Sequence, residues 1–279
     1  MLTPEQRERY QRDGYLVLPG FKSAAEIATL RQRAAEIVND FDTSAVRSVF
    51  TTRDQTSATD DYFLRSDNTI RCFFEEEAFD AAGRLRQDKA LSINKIGHAL
   101  HDLDPVFEAF SRDARLAAVA QGLGLADPRV WQSMYIFKQP GIGGEVRWHQ
   151  DATFFETTPV SVTTFWFALE DATIDNGCLW VEPGGHRGPL RERFVRHGDA
   201  ISMERLDDMP WPDDSRAVAL EAQAGTLVCF HGLLPHYSAP NRSPVSRHAY
   251  TLHATDGATL YSPHNWIQRD AAFPVRGFI

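Results

Sequence analysis

The chain has 279 residues, of which 43% are hydrophobic and 24% are charged, and it carries a net charge of −9. These proportions are those of an ordinary globular protein. The acidic balance argues against a nucleic-acid partner, because nucleic-acid-binding proteins concentrate Lys and Arg. No apolar run approaches the ~20 residues that a membrane helix needs, so we expect a cytoplasmic protein without a membrane partner. The three cysteines lie far apart in apolar stretches, which predicts buried free thiols.

The first forty residues predict two helices separated by a short strand. Thr3 with Gln6, and Ser23 with Glu26, have the spacing of capping boxes. In a capping box each of the two side chains binds a backbone amide that the start of the helix leaves unpaired. The apolar run at 15–18 lies between the two helices and predicts the strand.

The remainder of the N-terminal half is more irregular. Residues 41–68 are polar and predict a surface loop. A β-branched and aromatic run predicts a strand at 69–74, and helices are expected at 91–103 and 113–123. We therefore expect the chain to be mainly helical up to about residue 125.

Short strands dominate the sequence from residue 129 onward. Apolar, β-branched and aromatic runs alternate there with turns that contain Gly and Pro. The expected strands are 130–137, 160–169, 179–181, 226–230 and 248–253. This pattern favours a mainly β fold with flanking α-helices, built as a double-sheet jelly roll. We expect one domain over residues 1–279, with the helical part packed on a jelly-roll core at about 126–279.

The motif Trp148-His149-Gln150-Asp151 is a candidate for metal chemistry. On a strand, residues i and i+2 point to the same face, so His149 and Asp151 can present an imidazole nitrogen and a carboxylate oxygen to one point. With a second histidine they would occupy one face of an octahedral iron and leave three positions open. A surface His–Asp pair is the alternative interpretation of the motif taken by itself.

Four histidines downstream could complete this ligand set. His231 ends an apolar run, whereas His248 and His253 lie on opposite faces of one expected strand. His236 precedes the turn segment at 238–244. We favour His236, because a strand end beside a fixed turn holds a ligand without backbone freedom.

Arg247 begins an apolar strand eleven residues beyond His236. A buried arginine is costly unless it is paired. Its planar guanidinium matches a carboxylate with two parallel hydrogen bonds, so it could hold the distal carboxylate of 2-oxoglutarate near the metal. A surface salt bridge is the alternative of equal weight.

Two sets of residues are candidates for the substrate pocket. Four residues flank the metal pair, although half of them fit a hydrophobic core equally well: Trp148, Phe154, Phe155 and Glu156. Four arginines form a basic cluster that could meet an anionic substrate or a CoA phosphate: Arg187, Arg191, Arg193 and Arg196. A cluster of charges is more often a solvated face.

Several motifs taken together identify a family. They are Gly144-Glu145 with His149-Gln150-Asp151, Asn176-Gly177 with Pro183-Gly184-Gly185-His186, and His236 with Asn241 and Ser246-Arg247. This set resembles the phytanoyl-CoA dioxygenase family. The stretches 92–101, 132–140 and 170–173 are most similar to its branch of phytanoyl-CoA dioxygenase domain-containing proteins. The resemblance covers nearly the whole chain, and Gly185 departs from it because the family usually has serine there.

The resemblance implies a double-stranded β-helix, or cupin-like jelly roll, with iron held by His149, Asp151 and His236. It also implies a binding site for 2-oxoglutarate. The residues that match the positions of this cosubstrate site are Arg247, Ser238, Lys95, Met134 and Trp166. From the residues alone, a lysine on a helix is usually solvated, and the methionine and tryptophan fit a strand core.

The implied activity is that of an Fe(II)- and 2-oxoglutarate-dependent dioxygenase that uses O2, with ascorbate as an optional reductant. The expected reaction hydroxylates a small organic substrate and forms succinate and CO2. A carboxylate at Asp151 favours hydroxylation, because related halogenases carry a small residue there. Two other classes stay open, namely a cupin-like metal-binding protein without oxygenase activity and a zinc hydrolase. The substrate and the oligomeric state cannot be read from the sequence.

Overall fold

A computed structural model describes residues 1–44, 46–52, 60–198, 200–213 and 215–279. The helices in these ranges are α1 (Pro4–Asp13), α2 (Ala24–Asp40), α3 (Asp61–Leu64), α4 (Leu100–Leu103), α5 (Pro105–Ser111) and α6 (Ala114–Gly122). The strands are β1 (Tyr15–Leu18), β2 (Ile70–Phe74), β3 (Ile93–His98), β4 (Pro128–Ile136), β5 (Val146–His149), β6 (Thr157–Thr158), β7 (Thr163–Ala168), β8 (Leu179–Val181), β9 (Glu192–His197), β10 (Ala200–Arg205), β11 (Val218–Leu220), β12 (Leu227–His231), β13 (His236–Ser238), β14 (Ala249–Asp256) and β15 (Leu260–Tyr261). None of the described helices is long and apolar enough to cross a membrane.

Both expected capping boxes are present at the first two helices. Thr3 accepts a hydrogen bond from the Gln6 amide, and the Gln6 side chain accepts one from the Thr3 amide. Ser23 and Glu26 repeat this arrangement at the start of α2. The strand between the helices joins the edge of the larger sheet. The N-terminal prediction is therefore confirmed.

Two antiparallel sheets carry the fold. The larger has seven strands in the order β1-β12-β7-β14-β4-β3-β2, and the smaller has four in the order β11-β8-β13-β5. Most neighbours in the two sheets, such as β12 and β7 or β8 and β13, are distant in sequence, so the chain crosses repeatedly between the sheets, as a jelly roll requires. β5 and β13 lie side by side in the smaller sheet, with His149 directly opposite His236.

The two faces of the larger sheet bury different partners. Along β7, Phe165 and Phe167 pack in one cluster with side chains of α2 and α6. Trp166 and Ala168 point to the other side and pack with residues of the smaller sheet, such as Val181. This alternation is the period of two expected for a strand. The larger sheet is thus sandwiched between the helices and the smaller sheet. All three cysteines are buried and free, as predicted.

The helix expected at 91–103 is wrong for most of its length. Residues 93–98 form β3, which pairs with β2 and β4, and only Leu100–Leu103 is helical. All six residues of β3 are buried. A strand that is buried on both faces shows no alternation of polar and apolar residues, so its sequence lacks the signal that separates strand from helix.

The expected surface loop at 41–68 is also only partly right. Asp60 caps the short helix α3, and Val49 forms a bridge with Phe74 of β2. Ala45 and residues 53–59 of that stretch lie outside the described residues. The helix α5 had no counterpart in the sequence prediction, although Asp104 caps it and Pro105 begins it.

Candidate active site

The three predicted metal ligands lie together at one end of the sheets. His149 ends β5, His236 begins β13, and their ring centroids are 4.0 Å apart. Asp151 begins a 3-10 turn just beyond β5. One ligand atom from each of the three side chains lies within 4.8 Å of the other two.

Both imidazoles are anchored in the same way. His149 Nδ1 lies 2.8 Å from the carbonyl oxygen of Arg147, and His236 Nδ1 lies 3.0 Å from that of Leu234. A carbonyl oxygen only accepts, so each Nδ1 carries the proton and each Nε2 keeps its lone pair for a metal. Burial lowers the pKa of His236 to about 4, which keeps that ring neutral.

The two carboxylate oxygens of Asp151 have different partners. Oδ1 lies 3.5 Å from His149 Nε2 and 3.6 Å from His236 Nε2. Oδ2 accepts a hydrogen bond from Thr164 Oγ1 and lies 3.5 Å from His253 Nε2. Burial would raise the pKa of Asp151, but the surrounding histidines hold it well below its ordinary value. One oxygen is thus left for a metal, and the other is held by the protein.

His149 and Asp151 lie close together as expected, but they do not lie on one strand. β5 stops at His149, but Gln150 keeps an extended backbone, with φ −121° and ψ 133°, before the turn begins. The buried Gln150 amide donates to the carbonyls of Pro189 and Leu233, at 2.9 Å each, and its oxygen accepts from the Arg191 amide at 2.9 Å. Gln150 therefore fixes the backbone between the two ligands.

Arg247 is almost fully buried at 2% exposure and is held by a small network. Its Nε donates to the Gly177 carbonyl at 3.0 Å, and its Nη2 donates to Ser238 Oγ at 3.3 Å. Ser238 Oγ in turn donates to the same Gly177 carbonyl at 2.9 Å. No described residue provides a hydrogen-bond partner for Nη1. The Trp166 ring lies 5.5 Å from the guanidinium carbon, and burial lowers the arginine pKa to about 10.

Lys95 lies on strand β3, not on a helix, and its side chain is buried. Its ammonium lies 3.2 Å from the centroid of the Phe50 ring and 3.8 Å from Met134 Sδ. Burial lowers the pKa of Lys95 well below its ordinary value. Lys95 and Met134 both line the cavity described next, whereas the linked group of Arg247, Ser238 and Trp166 is not part of its wall.

A cavity of about 430 Å³ adjoins the three clustered side chains, and His149 and Asp151 form part of its wall. Three of the four residues predicted to flank the metal line it, namely Trp148, Phe154 and Phe155. Glu156 does not, because its carboxylate pairs with Arg193 at 2.7 Å. Other lining residues were not anticipated: Phe63, His98, Gln132, Phe194, Trp211, Tyr237, His253 and Trp266.

The basic cluster of four arginines is engaged inside the protein. Arg193 pairs with both Glu156 and Glu204, and Arg191 lies 3.6 Å from Glu182. Arg196 and Arg187 donate to backbone carbonyl oxygens. These contacts favour a structural role over a shared surface for an anionic substrate.

Thr164 and His253 are the site residues that sequence reasoning missed. Both lie on strands of the larger sheet, and both contact Oδ2 of Asp151, whereas His149 and His236 lie near Oδ1. Their spacing in sequence carries no motif. The alternation of side chains along β14 predicts that His253 and His248 lie on opposite faces. Only the fold shows that the face of His253 meets Asp151.

The donor set fits iron(II) and 2-oxoglutarate. Two imidazole nitrogens and one carboxylate oxygen can occupy one face of an octahedral ion, and Nη1 of Arg247, which is buried and has no partner among the described residues, suits a carboxylate. Both groups could therefore be held by residues that are already in place.

Comparison with known proteins agrees with this chemistry. Residues 10–249 match the family model described as "Phytanoyl-CoA dioxygenase (PhyH)". A protein of Arabidopsis thaliana named phytanoyl-CoA dioxygenase is 48% identical over 271 residues, covering 96% of this chain and 94% of that protein. The phytanoyl-CoA dioxygenase domain-containing protein 1 of Bos taurus is 44% identical over 282 residues, covering 98% and 97%.

The fold is shared with a solved structure as well. The non-heme alpha ketoglutarate dependent carbocyclase SnoK from nogalamycin biosynthesis superposes with a TM-score of 0.68 at 19% identity, over 99% of this chain and 96% of that one. The predicted mainly β, cupin-like double-stranded β-helix is therefore confirmed. The chain belongs to the phytanoyl-CoA dioxygenase family and is a dioxygenase that depends on iron(II), 2-oxoglutarate and O2.

Proposed function

We propose that this protein hydroxylates a small organic substrate while 2-oxoglutarate is converted to succinate and CO2, with His149, Asp151 and His236 as the iron ligands. One observation carries the proposal: the ligand atoms of these residues converge within 4.8 Å. Iron bound there supplies the oxidative chemistry, and the protein supplies positions and surroundings.

The protein's first task is to present three ligand atoms without adjustment. The Arg147 and Leu234 carbonyls hold the Nδ1–H groups of the two histidines, so the rings cannot rotate freely. Thr164 holds Oδ2 of Asp151, which leaves Oδ1 as a single donor. These three donors would hold the iron and would leave its remaining positions to the cosubstrate and O2.

The second task is to orient the cosubstrate. Gly177 and Ser238 hold two nitrogens of Arg247, and Nη1 is left for the 5-carboxylate of 2-oxoglutarate. Because the Ser238 proton is donated to Gly177, Ser238 acts on the cosubstrate mainly by fixing the guanidinium. We assign Trp166, Lys95 and Met134 to the surroundings of the same ligand.

The third task is to exclude water around the reacting atoms. Phe154 lies 6.4 Å from His149 between ring centroids, and Phe155 stacks on His253 at 5.0 Å. Phe194 packs on Phe154 at 5.7 Å. An apolar wall of this kind strengthens the electrostatic interactions inside the site and limits side reactions.

Succinate production from 2-oxoglutarate under air, with iron(II) and ascorbate, tests the proposal. We expect turnover that rises with a suitable member of a substrate panel and is lost in Asp151→Ala and Arg247→Ala. Asp256→Ala is the matched control for the first variant, because Asp256 is a buried aspartate that binds backbone amides away from the cavity. Arg112→Ala serves for the second, since Arg112 is half-buried, donates to the Gly277 carbonyl and lies outside the cavity wall.

Two results would decide against the proposal. The first is the absence of succinate from the wild type with every member of the panel while zinc co-purifies tightly, which would favour the hydrolase or binding-protein alternatives. The second is full turnover in Asp151→Ala, which would remove the assigned ligand from the mechanism.

A further inference from the structure

His98 is a buried polar group in the cavity wall to which the proposed reaction gives no task. It ends strand β3, is fully buried and lines the cavity. Aromatic rings surround it, with centroids of Phe63 at 5.2 Å, Phe73 at 5.5 Å and Trp266 at 5.1 Å. Three aromatic rings therefore enclose the imidazole, while Lys95, His253 and Arg269 lie close enough to act on it electrostatically.

One ring nitrogen of His98 is already committed. Its Nδ1 lies 2.7 Å from Ser66 Oγ, and Ser66 Oγ donates its own proton to the Phe63 carbonyl at 2.5 Å. A hydroxyl has one proton to give, so Ser66 Oγ must accept from His98. Nδ1 therefore carries the imidazole proton, which assigns the tautomer from the hydrogen-bond network.

The other ring nitrogen, Nε2, is consequently an acceptor with a lone pair. Burial lowers the pKa of His98 well below its ordinary value, and Lys95, His253 and Arg269 lower it further, so the ring stays neutral. No described residue provides a hydrogen-bond partner for Nε2. A buried acceptor without a partner is costly, and such groups in native proteins usually have a reason to be there.

We propose that His98 Nε2 accepts a hydrogen bond from the primary substrate, which therefore carries a neutral donor, a hydroxyl or an amide N–H, on an otherwise apolar body. The donor is neutral because an ionised group would have to give up its water among the rings of Phe63, Phe73 and Trp266 that enclose the imidazole. The body is apolar because Phe63, Trp266 and Phe155 line the same cavity. The inference rests on the proposed function only in taking this cavity as the substrate site.

Two small probes that differ in one donor test the inference. Benzyl alcohol carries a hydroxyl, and benzyl methyl ether has the same aromatic body without a proton to donate. We expect calorimetry to show that the wild type binds the alcohol about 2- to 10-fold more tightly than the ether, as one net hydrogen bond predicts. The titrations are run with the protein alone and with iron(II) and 2-oxoglutarate under argon.

Two variants assign the preference to His98. His98→Phe keeps a ring of similar size without an acceptor, so the alcohol and the ether should bind equally. His186→Phe is its control, because His186 lies outside the cavity wall and its Nδ1 likewise has no hydrogen-bond partner in the part of the chain that the structure describes. If His98→Phe fails to fold, His98→Leu takes its place.

Ser66→Ala tests the tautomer, which a merely structural histidine would not reveal. Without Ser66, Nδ1 loses its acceptor and the proton can move to Nε2, so the preference for the alcohol should disappear or reverse. Ser111→Ala is the matched control, since Ser111 is buried and bonds to the Tyr250 hydroxyl in the core on the helical side of the larger sheet. If Ser66→Ala still prefers the alcohol as strongly as the wild type does, Nε2 is not the acceptor and the inference is wrong.

The remaining outcomes are equally decisive. Equal binding of the probes to the wild type, including no detectable binding of either, overturns the inference, as does a preference that survives in His98→Phe. A clear preference without succinate formation upholds this inference and removes the proposed function. Succinate formation by a wild type that binds the alcohol and the ether equally upholds the proposed function and overturns this inference.

Discussion

Two walls of the active site, one formed by β5 and β13 and the other by β3, hold polar side chains in different ways. On β5 and β13, His149 and His236 each bind the carbonyl of a residue two positions earlier, so the anchor belongs to the same short stretch of chain. On β3, Asn94 binds Glu75 nineteen residues away, and His98 binds Ser66 thirty-two residues away. The first wall is anchored locally, and the second is anchored by tertiary contacts.

We expect substitutions in the two walls to differ in how they affect metal binding and folding stability. A locally anchored ligand keeps its orientation whatever packs behind it, so substitutions there should affect metal binding more than folding. A side chain held by distant partners joins segments of the fold, so its loss should cost stability. Asp151 combines the two cases, because its place in the turn is local and its Oδ2 is held by Thr164 from β7.

Asp151→Asn should have the largest effect. The amide keeps the shape but loses the charge that balances the metal, so we expect iron affinity to fall more than about 100-fold, beyond the roughly 10- to 100-fold cost of losing a partner behind a ligand. Iron content after dialysis measures the loss. Asp256→Asn should retain iron at the wild-type level, and retention by Asp151→Asn would refute its role as a ligand.

Arg247→Met should separate binding from stability most clearly. Removing one member of a buried charged pair costs about 2–5 kcal/mol, so KM for 2-oxoglutarate should rise about 30-fold or more. The unfolding temperature without cosubstrate should stay the same or increase, because an apolar side chain replaces a buried cation with an unpartnered nitrogen. A large loss of stability with an unchanged KM would show that Arg247 is structural.

Thr164→Val tests the hydrogen bond by which a distant strand holds Asp151. The variant keeps the shape of the side chain and removes the proton donated to Oδ2, so iron affinity should fall by about 10- to 100-fold. The neighbouring Thr163→Val is the matched control, since Thr163 Oγ1 donates to the Ser161 carbonyl instead. Equal iron binding in both variants would mean that the turn alone positions Asp151.

The same contrast explains what the sequence could reveal. A histidine and an aspartate two residues apart, capping boxes and strands bounded by Gly and Pro are local patterns, and the structure contains all of them. The strand at 93–98 is buried on both faces and shows no period, so its sequence does not distinguish it from a helix. The parts played by Thr164 and His253 depend on which strands become neighbours, and the sequence does not record this directly.

The smallest effect is expected at His98, on the β3 wall that is anchored by tertiary contacts. Its folded pKa is depressed by burial, so the unfolded chain takes up a proton below about pH 6.5 while the folded chain does not. The contribution of the neutral ring to stability is full above that pH and is lost as the pH falls toward the depressed folded pKa. His98→Phe should reduce this acid lability, because the variant has no imidazole that takes up a proton on unfolding.

Urea unfolding at neutral pH and at several acidic values measures this difference. Phe73→Leu is the control, because Phe73 packs against the same imidazole and its truncation should lower stability equally at every pH. If His98→Phe and the wild type lose stability in parallel on acidification, His98 is charged or solvated in the folded protein. The β3 wall would then lack the buried neutral acceptor that distinguishes it from the wall formed by β5 and β13.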